Sequence, residues 1–427
     1  MRLALIVTLT LMPTLGIAGE LQSLIETALK SSPQIEQAKR QLKASEYEVK
    51  KAFGNYLPEV KFSYSYTDLS DTPSYTMEVL GGALPPTSFS LFKRKFYQEE
   101  LSLQTPLFTG ERILNLIRVK KSQKEGYRFY LEEVKNLIVE RVKEDYYEVL
   151  KAKALVETAK ESLKSAKEHY RVVKAFFDEE IVPRRDLLEA EVKVSEAEER
   201  LKEAIGYYRV ALEKLRVDSG DFDFEPKGEI NLEVEGRRFN PEELVERALK
   251  ERAAIKQVKL FLRAAERGVD LAKSQFMPQA FLKLSYSKTD QYPLNGNFSN
   301  KSTSVGISVP IFEGSKRFWE LKRSREEKLK IKGKLEEVKR QVRLQVVSAC
   351  TNIDTALKRI EAARKRVEEA KELLRDSKER YKEHVGTSTE VIDAIAYLTC
   401  AKSSLVKVVA DYYKALAQLE YAVGGKL

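Results

Sequence analysis

The sequence predicts a mainly α protein with some β, built as two tandem copies of one unit. Three observations predict it: an internal repeat of more than two hundred residues, long heptad patterns in each copy, and two short alternating segments between the helices of each copy. The alternating segments read as strands of a transmembrane barrel. There are too few of them for one chain to close a barrel, so the pattern also predicts an oligomer.

The repeat comes first. Leu24, Ala28, Leu29 and Ile35 recur as Leu244, Ala248, Leu249 and Ile255, and Tyr56-Leu57-Pro58 is echoed by Phe276-Met277-Pro278, all at an offset of 220. Further on, Thr105-Pro106-Leu107-Phe108-Thr109-Gly110 matches Val309-Pro310-Ile311-Phe312-Glu313-Gly314 at 204. Copy one therefore carries 16 additional residues between Pro58 and Thr105, and the 204 offset then holds as far as Gly220 and Gly424. A duplication of this length implies two pseudo-symmetric halves, not a short-period solenoid. The expected organisation is residues 19–220 for the first repeat, 221–240 for a linker and 241–427 for the second repeat.

The helices follow from the period. Val149, Val156, Leu163, Tyr170 and Phe177 repeat every seven residues, with Ala152, Ala159, Ala166 and Val173 beside them. Copy two has Ile353, Ile360, Val367, Leu374 and Tyr381 with Ala356, Ala363, Ala370 and Ser377. Past Pro183 and past Gly386 each copy starts a second heptad run. A strict period of seven implies left-handed supercoiling, and one large and one small residue per heptad lets helices approach closely. Residues 111–179 contain no proline, so as one helix they extend about 100 Å. The helices alone are equally compatible with a plain coiled-coil rod.

The strands distinguish the two. Strands are expected near 59–67, 96–105, 279–288 and 302–309. Val60, Phe62, Tyr64 and Tyr66 alternate with polar residues, as do Leu282, Leu284 and Tyr286, and Val305, Ile307 and Val309. Turn-rich segments, residues 73–86 and 295–300, join the pairs, and the first contains the additional 16 residues. A soluble hairpin packed on the helices is the competing reading of the same pattern.

Residues 1–18 read as a secretory signal peptide: Arg2, an apolar run from Leu3, and small residues at Gly16-Ile17-Ala18. Pro13 and the shortness of the run speak against a retained anchor. No cysteine follows Ala18, so an N-terminal lipid anchor is not expected. The formal net charge is +10, but the 75 basic and 65 acidic residues are interleaved along helices, so no nucleic-acid partner is expected. No catalytic constellation is legible: Gly81-Gly82 precedes no helix, and there are only two histidines. His169 reads as a surface residue, and His384 as part of a solvated turn with no second metal ligand nearby. Cys350 and Cys400 lie on opposite arms of one predicted hairpin, offset by about 33 Å along the axis, too far for a disulfide. No enzyme activity, cofactor or metal is expected.

With these features in order, the sequence resembles the TolC family of outer-membrane efflux proteins over essentially the whole chain. The resemblance rests on Ala28-Leu29 ahead of Pro33, Leu57-Pro58 entering a strand, the two Pro-x-Phe-x-Gly strand exits, and the returning helices that open at Asp186-Leu187-Leu188-Glu189-Ala190 and Val391-Ile392-Asp393-Ala394. It implies a homotrimer in which four strands per chain make a transmembrane β-barrel and the helices make a long α-helical coiled-coil barrel through the periplasm. Residues 217–240 and 424–427 would belt its middle. It implies an outer-membrane location and contact with outer-membrane lipid. The partners would be an inner-membrane transporter and a periplasmic adaptor (membrane fusion) protein. Two departures stand out: Ala253 replaces the proline of copy one, and His384 and Glu180 occupy a position where the family commonly has glycine.

The candidate functional residues lie at the two helix-to-helix turns. Asp186 and Glu189 match Glu390 and Asp393, three residues apart on one helix face. By resemblance they line a narrow periplasmic mouth, where three-fold symmetry would make carboxylate rings. The other reading is ordinary N-terminal helix acids that complement the macrodipole. Phe177, Pro183, Arg184, Arg185, Tyr381, His384 and Gly386 are the expected tip-turn and adaptor-contact residues, with Arg184 and Arg185 as candidate ion-pair partners that hold the tips shut. The functional expectation is a passive exit duct of a tripartite efflux or type I secretion system. The alternative is a periplasmic coiled-coil scaffold or adaptor without a membrane barrel.

Overall fold

The computed structural model describes residues 14–77, 85, 87–293 and 296–425. Residues 1–13 of the expected signal peptide, residues 78–84 and 86 of the first strand-connecting segment, and residue 295 of the second lie outside the described residues. Contacts divide the chain into two units. One contains residues 1–41, 128–257 and 336–427, the other 42–127 and 258–335.

The second unit centres on a four-stranded antiparallel sheet in the order β1-β4-β5-β6, with β1 Glu59–Asp68, β4 Lys95–Phe108, β5 Gln279–Thr289 and β6 Phe298–Ser308. The repeat is visible in the topology: each copy supplies one antiparallel pair, and β4 against β5 joins them. Register sorts the residues into two faces. One carries rows such as Val60, Leu103, Leu284 and Thr303, then Phe62, Leu101, Tyr286 and Lys301. The other carries Lys61, Ser102, Ser285 and Ser302, where the Ser285 and Ser302 hydroxyls are 2.7 Å apart and Lys283 pairs with Glu100 at 3.0 Å. The apolar face is exposed: Val60, Phe62, Tyr64, Tyr66, Val305 and Ile307 are each at least 60% open. The outer edges of β1 and β6 pair with nothing among the described residues.

β6 begins four residues before its expected start, because Asn300 and Lys301 hide the alternation while Phe298 packs on Tyr292, rings 5.6 Å apart. The first connecting segment holds more than turns. β2 Ser74–Met77 pairs with β3 Thr87–Ser90, a two-stranded ribbon within the longer copy-one connection.

The Pro-x-Phe-x-Gly exits have a backbone cause. Gly110 and Glu111 take φ of 58° and 64°, and Gly314 and Ser315 take 60° and 61°. Gly110 is also sterically required, since a Cβ there would sit 2.2 Å from Met277 Cβ.

The first unit is helical, and four of the helices described next have residues in both units. α1 Thr14–Ser31 breaks before α2 Pro33–Gly54, and α5 Pro241–Glu251 breaks before α6 Ala253–Ser274. α3 Arg112–Asp178 and α7 Lys316–Lys382 have 67 residues each; α4 Arg184–Ser219 and α8 Ser388–Val423 have 36 each. In the first unit α3 lies beside both α4 and α8. Lys214 reaches Asp145 at 2.6 Å and Lys167 reaches Glu198 at 2.7 Å on one side. Tyr147 stacks on Tyr413 at 4.7 Å on the other.

Copy two breaks its α5–α6 junction without proline. Arg252 is buried there, and Glu133 of α3 accepts hydrogen bonds from Arg252 Nη2 (2.9 Å), Ala254 N (3.2 Å) and Tyr421 Oη (2.9 Å). The guanidinium lies 3.6 Å over the Tyr421 ring. A side-chain carboxylate that accepts from a backbone N–H at the break thus stands at the junction where copy one has Pro33.

Residues 221–240 form no helix or strand. Their polar backbone groups are bound by helix side chains instead. Lys153 donates to Pro226 O and Gly228 O at 3.0 and 3.1 Å, and Arg364 donates to Leu232 O at 2.7 Å. Lys227 N donates to Glu20 at 2.9 Å. An irregular segment laid on helices needs such partners.

Candidate functional site: the helix tips

The two turns end their helices in the same way. After α3, Ile181 N donates to Phe176 O (2.8 Å) and Glu180 N to Phe177 O (2.9 Å); after α7, Val385 N donates to Arg380 O (3.0 Å) and His384 N to Tyr381 O (3.2 Å). This is the Schellman arrangement, which requires one left-handed residue. Glu180 (φ 60°) and His384 (φ 62°) supply it without being glycine. The missing glycine therefore leaves the turn geometry intact and makes it strained at both tips. Gly386 sits in a tight place. A Cβ there would lie 3.1 Å from Arg380 Cβ and 3.2 Å from Glu390 Oε2.

The returning helices start differently. Pro183 precedes α4 with extended backbone and no side-chain cap. Thr387 precedes α8, and its Oγ1 accepts from Glu390 N at 3.2 Å.

The tips pack on each other through a small core. Val173, Ala190, Leu374, Tyr381, Val391, Ala394 and Ile395 are buried together, with Phe176 and Leu187 against them. Tyr381 is central. It is buried, and its ring meets Phe176 at 5.6 Å and His169 at 5.1 Å. Burial and then the charge of Asp186 push its pKa up. Phe176 also meets His384, rings 4.8 Å apart.

His169 is not the surface residue the sequence predicts. It is 5% exposed, and its Nε2 shares a 2.9 Å hydrogen bond with Ser388 Oγ. Burial, and then the positive charge of Lys378, lower its pKa to about 4, so the ring is neutral near pH 7. The signal was a third stripe on α3, Leu155, Ser162, His169 and Phe176, again seven apart. A helix with neighbours on two sides buries more than one stripe.

Of the acidic candidates, Asp186, Glu189 and Glu390 are half-buried and Asp393 is exposed. Glu390 faces Arg380 at 3.7 Å, an ion pair the sequence reasoning missed. Arg184 and Arg185 are exposed and, among the described residues, form no ion pair within the chain. The expected lock at those two residues is absent from the isolated chain. Cys350 is buried, Cys400 is exposed, and both are free thiols. No group of three or more metal-ligating side chains occurs among the described residues. No helix among them is long and apolar enough to cross a membrane.

The profile of a family described as outer membrane efflux protein matches residues 24–220 and 244–425, one match per repeat. No curated protein matches the chain in sequence. Among solved structures, CusC superposes with a TM-score of 0.80 at 16% identity, covering 96% of this chain and 92% of CusC. VceC of Vibrio cholerae gives 0.78 at 17%, covering 95% and 96%. The open state of the Neisseria gonorrhoeae outer membrane channel MtrE gives 0.75 at 19%, covering 95% and 89%. At these identities the likeness concerns the fold, which is that of TolC-like channels in two tandem repeats.

Proposed function

The chain belongs to the outer membrane efflux protein family, and from that premise we propose that it is the passive exit duct of a tripartite efflux or type I secretion assembly. The observation that carries the reading is the four-stranded sheet with one apolar, exposed face and two unpaired edges. Strand edges cannot stay open in hydrocarbon. Three copies with four strands each would join β6 of one to β1 of the next and close a twelve-stranded barrel. The apolar rows from Ala280 to Tyr286 on β5 span about 20 Å at 3.4 Å per residue, and Phe62, Tyr64 and Tyr66 of β1 put aromatic rings at and beyond their Tyr286 end, where a barrel's aromatic girdle sits. The serine-rich face would then line the lumen.

In this reading the signal peptide is removed near Ala18 and the mature chain sits in the outer membrane with a large periplasmic extension. The tips Phe177, Pro183, Arg184, Arg185, Tyr381, His384 and Gly386 meet a periplasmic adaptor. Energy comes from an inner-membrane transporter. Asp186, Glu189, Glu390 and Asp393 become rings around the periplasmic mouth and favour cations. Opening is a shift of the two hairpins past each other across the Tyr381 core.

Single-channel recording of the purified trimer in planar bilayers tests this. Discrete, cation-preferring conductance is expected, with the preference reduced in Glu390→Gln/Asp393→Asn. A protein that fractionates as soluble periplasmic material and never conducts would favour the coiled-coil scaffold instead.

A further inference from the structure

The chain has only two histidines, and both lie against the same aromatic pair at the tips. His384 contacts Phe176, His169 contacts Tyr381, and the two aromatic rings contact each other. His169 belongs to α3 and its hydrogen-bond partner Ser388 is the first residue of α8. This bond therefore ties the first hairpin to the second inside the core that must part when the duct opens. Beside the ring lies a cavity of about 100 Å³ lined by Ser162, Lys193, Glu196, Arg200 and Asp393.

The surroundings suit a neutral ring and not a charged one. From α7, Lys378 and Lys382 face it beside Tyr381. From α4 come Lys193, Glu196 and Arg200, and Glu196 is already paired with both cations, at 3.1 and 3.8 Å. Glu168 on α3 itself is within 3.9 Å of Lys378. On α8, Asp393 is exposed to water. Ser388 is the ring's hydrogen-bond partner, and although its backbone favours the charged ring, burial and the Lys378 charge outweigh it.

We propose that the His169–Ser388 contact is a proton-released latch: the neutral imidazole holds the two hairpins together, and protonation from the periplasm parts them. The proposal rests on the duct reading above. Its direction follows from linkage. In the packed state the ring protonates only near pH 4, whereas a solvated ring protonates near about 6.5. Protons therefore bind the parted state more tightly, and opening is favoured as pH falls through that window. At pH 5.5 the shift is about tenfold per subunit, and three subunits compound it.

The test is open probability in planar bilayers against pH on the periplasmic side, for the native trimer and for His169→Gln. Glutamine can still bond Ser388 but does not titrate. Both proteins keep Glu390 and Asp393, so the titration of those carboxylates is common to both. The native trimer is expected to open at least tenfold more at pH 5.5 than at 7.5, and His169→Gln to lose most of that rise. Equal acid responses would overturn the latch and leave the duct standing. Absence of conductance at every pH would remove the duct itself. If His169→Gln fails to assemble, Ser388→Ala serves in its place. It should raise opening severalfold at pH 7.5, and an unchanged open probability there would overturn the latch.

Discussion

Helices α3 and α7 hold the same place in the two repeats and both bury a stripe, yet within the first unit their flanking residues differ in kind. On α3, Val142, Tyr146, Val149 and Leu150 are sealed from solvent. Between them Lys143 pairs with Glu420, Asp145 with Lys214 and Glu148 with Lys414. The matching α7 positions, 204 residues on, are uncharged: Val347 stands for Lys143, Ala349 for Asp145, Asn352 for Glu148 and Cys350 for Tyr146. Leu344, the counterpart of Glu140, is 70% exposed. The repeat preserved the period and reversed the chemistry. A helix flanked on both sides within its own chain uses ionic and hydrogen-bonded groups to fix its neighbours. On α7, Leu344 and Val347 instead stand in the open, and in the proposed trimer those residues meet a second copy.

Four tests, made with six substitutions, would break or sharpen this contrast. Tyr146→Ala has the largest expected effect, about 3–5 kcal/mol, because it empties a sealed aromatic site whose hydroxyl donates to Glu20 at 3.0 Å. Cys350→Ala, at the matching place on α7, is expected to cost about 1 kcal/mol, so equal losses in denaturant titrations would refute the asymmetry. Next comes Leu344→Glu, which gives α7 the charge of its α3 counterpart. It should leave helix content unchanged by circular dichroism while shifting the trimer to monomer by tenfold or more in sedimentation. A trimer that survives it would move the interface elsewhere.

The third concerns pH. Burial, then the nearby charge of Glu144, raise the Glu140 pKa from 4.5 to about 7. The folded protein thus holds this proton more tightly than the unfolded one. The stability it contributes is fully present below pH 4.5 and is lost as pH rises towards 7. Glu140→Gln should flatten melting temperature against pH in that window and be the more stable protein above it; a slope unchanged from the native would exclude Glu140 as its source. The smallest effect is at the tips, where the repeats agree. Glu180→Gly and His384→Gly should each stabilise by about 0.5–1 kcal/mol, since glycine takes the left-handed conformation without strain. A loss at either position would show that its side chain is needed there.

Much of this was legible in the sequence because it is periodic. Heptads of large and small residues define the long helices, and period-two alternation defines β1 and β5 close to their observed limits. Where both strand faces are polar, as at the start of β6, the alternation vanishes and the strand is shortened in the reading. Of the tip residues, the acidic pairs and the turn positions could be located by repeat offset. Their partners could not. Arg380 beside Glu390, and Phe176 between His384 and Tyr381, are set by how a turn closes and not by a spacing.

The sequence by itself determined the two-copy plan, the helix and strand content and the need for partners along open strand edges, because these depend on residues near one another in the chain. Tertiary structure alone decided which helices are neighbours. His169 meets Ser388 across 219 residues, and Glu133 meets Ala254 at the helix break across 121. Burial at such a site is a property of two surfaces, and a one-dimensional pattern records only one of them. That is why a histidine on a helix flank reads as solvated until the second hairpin is laid against it.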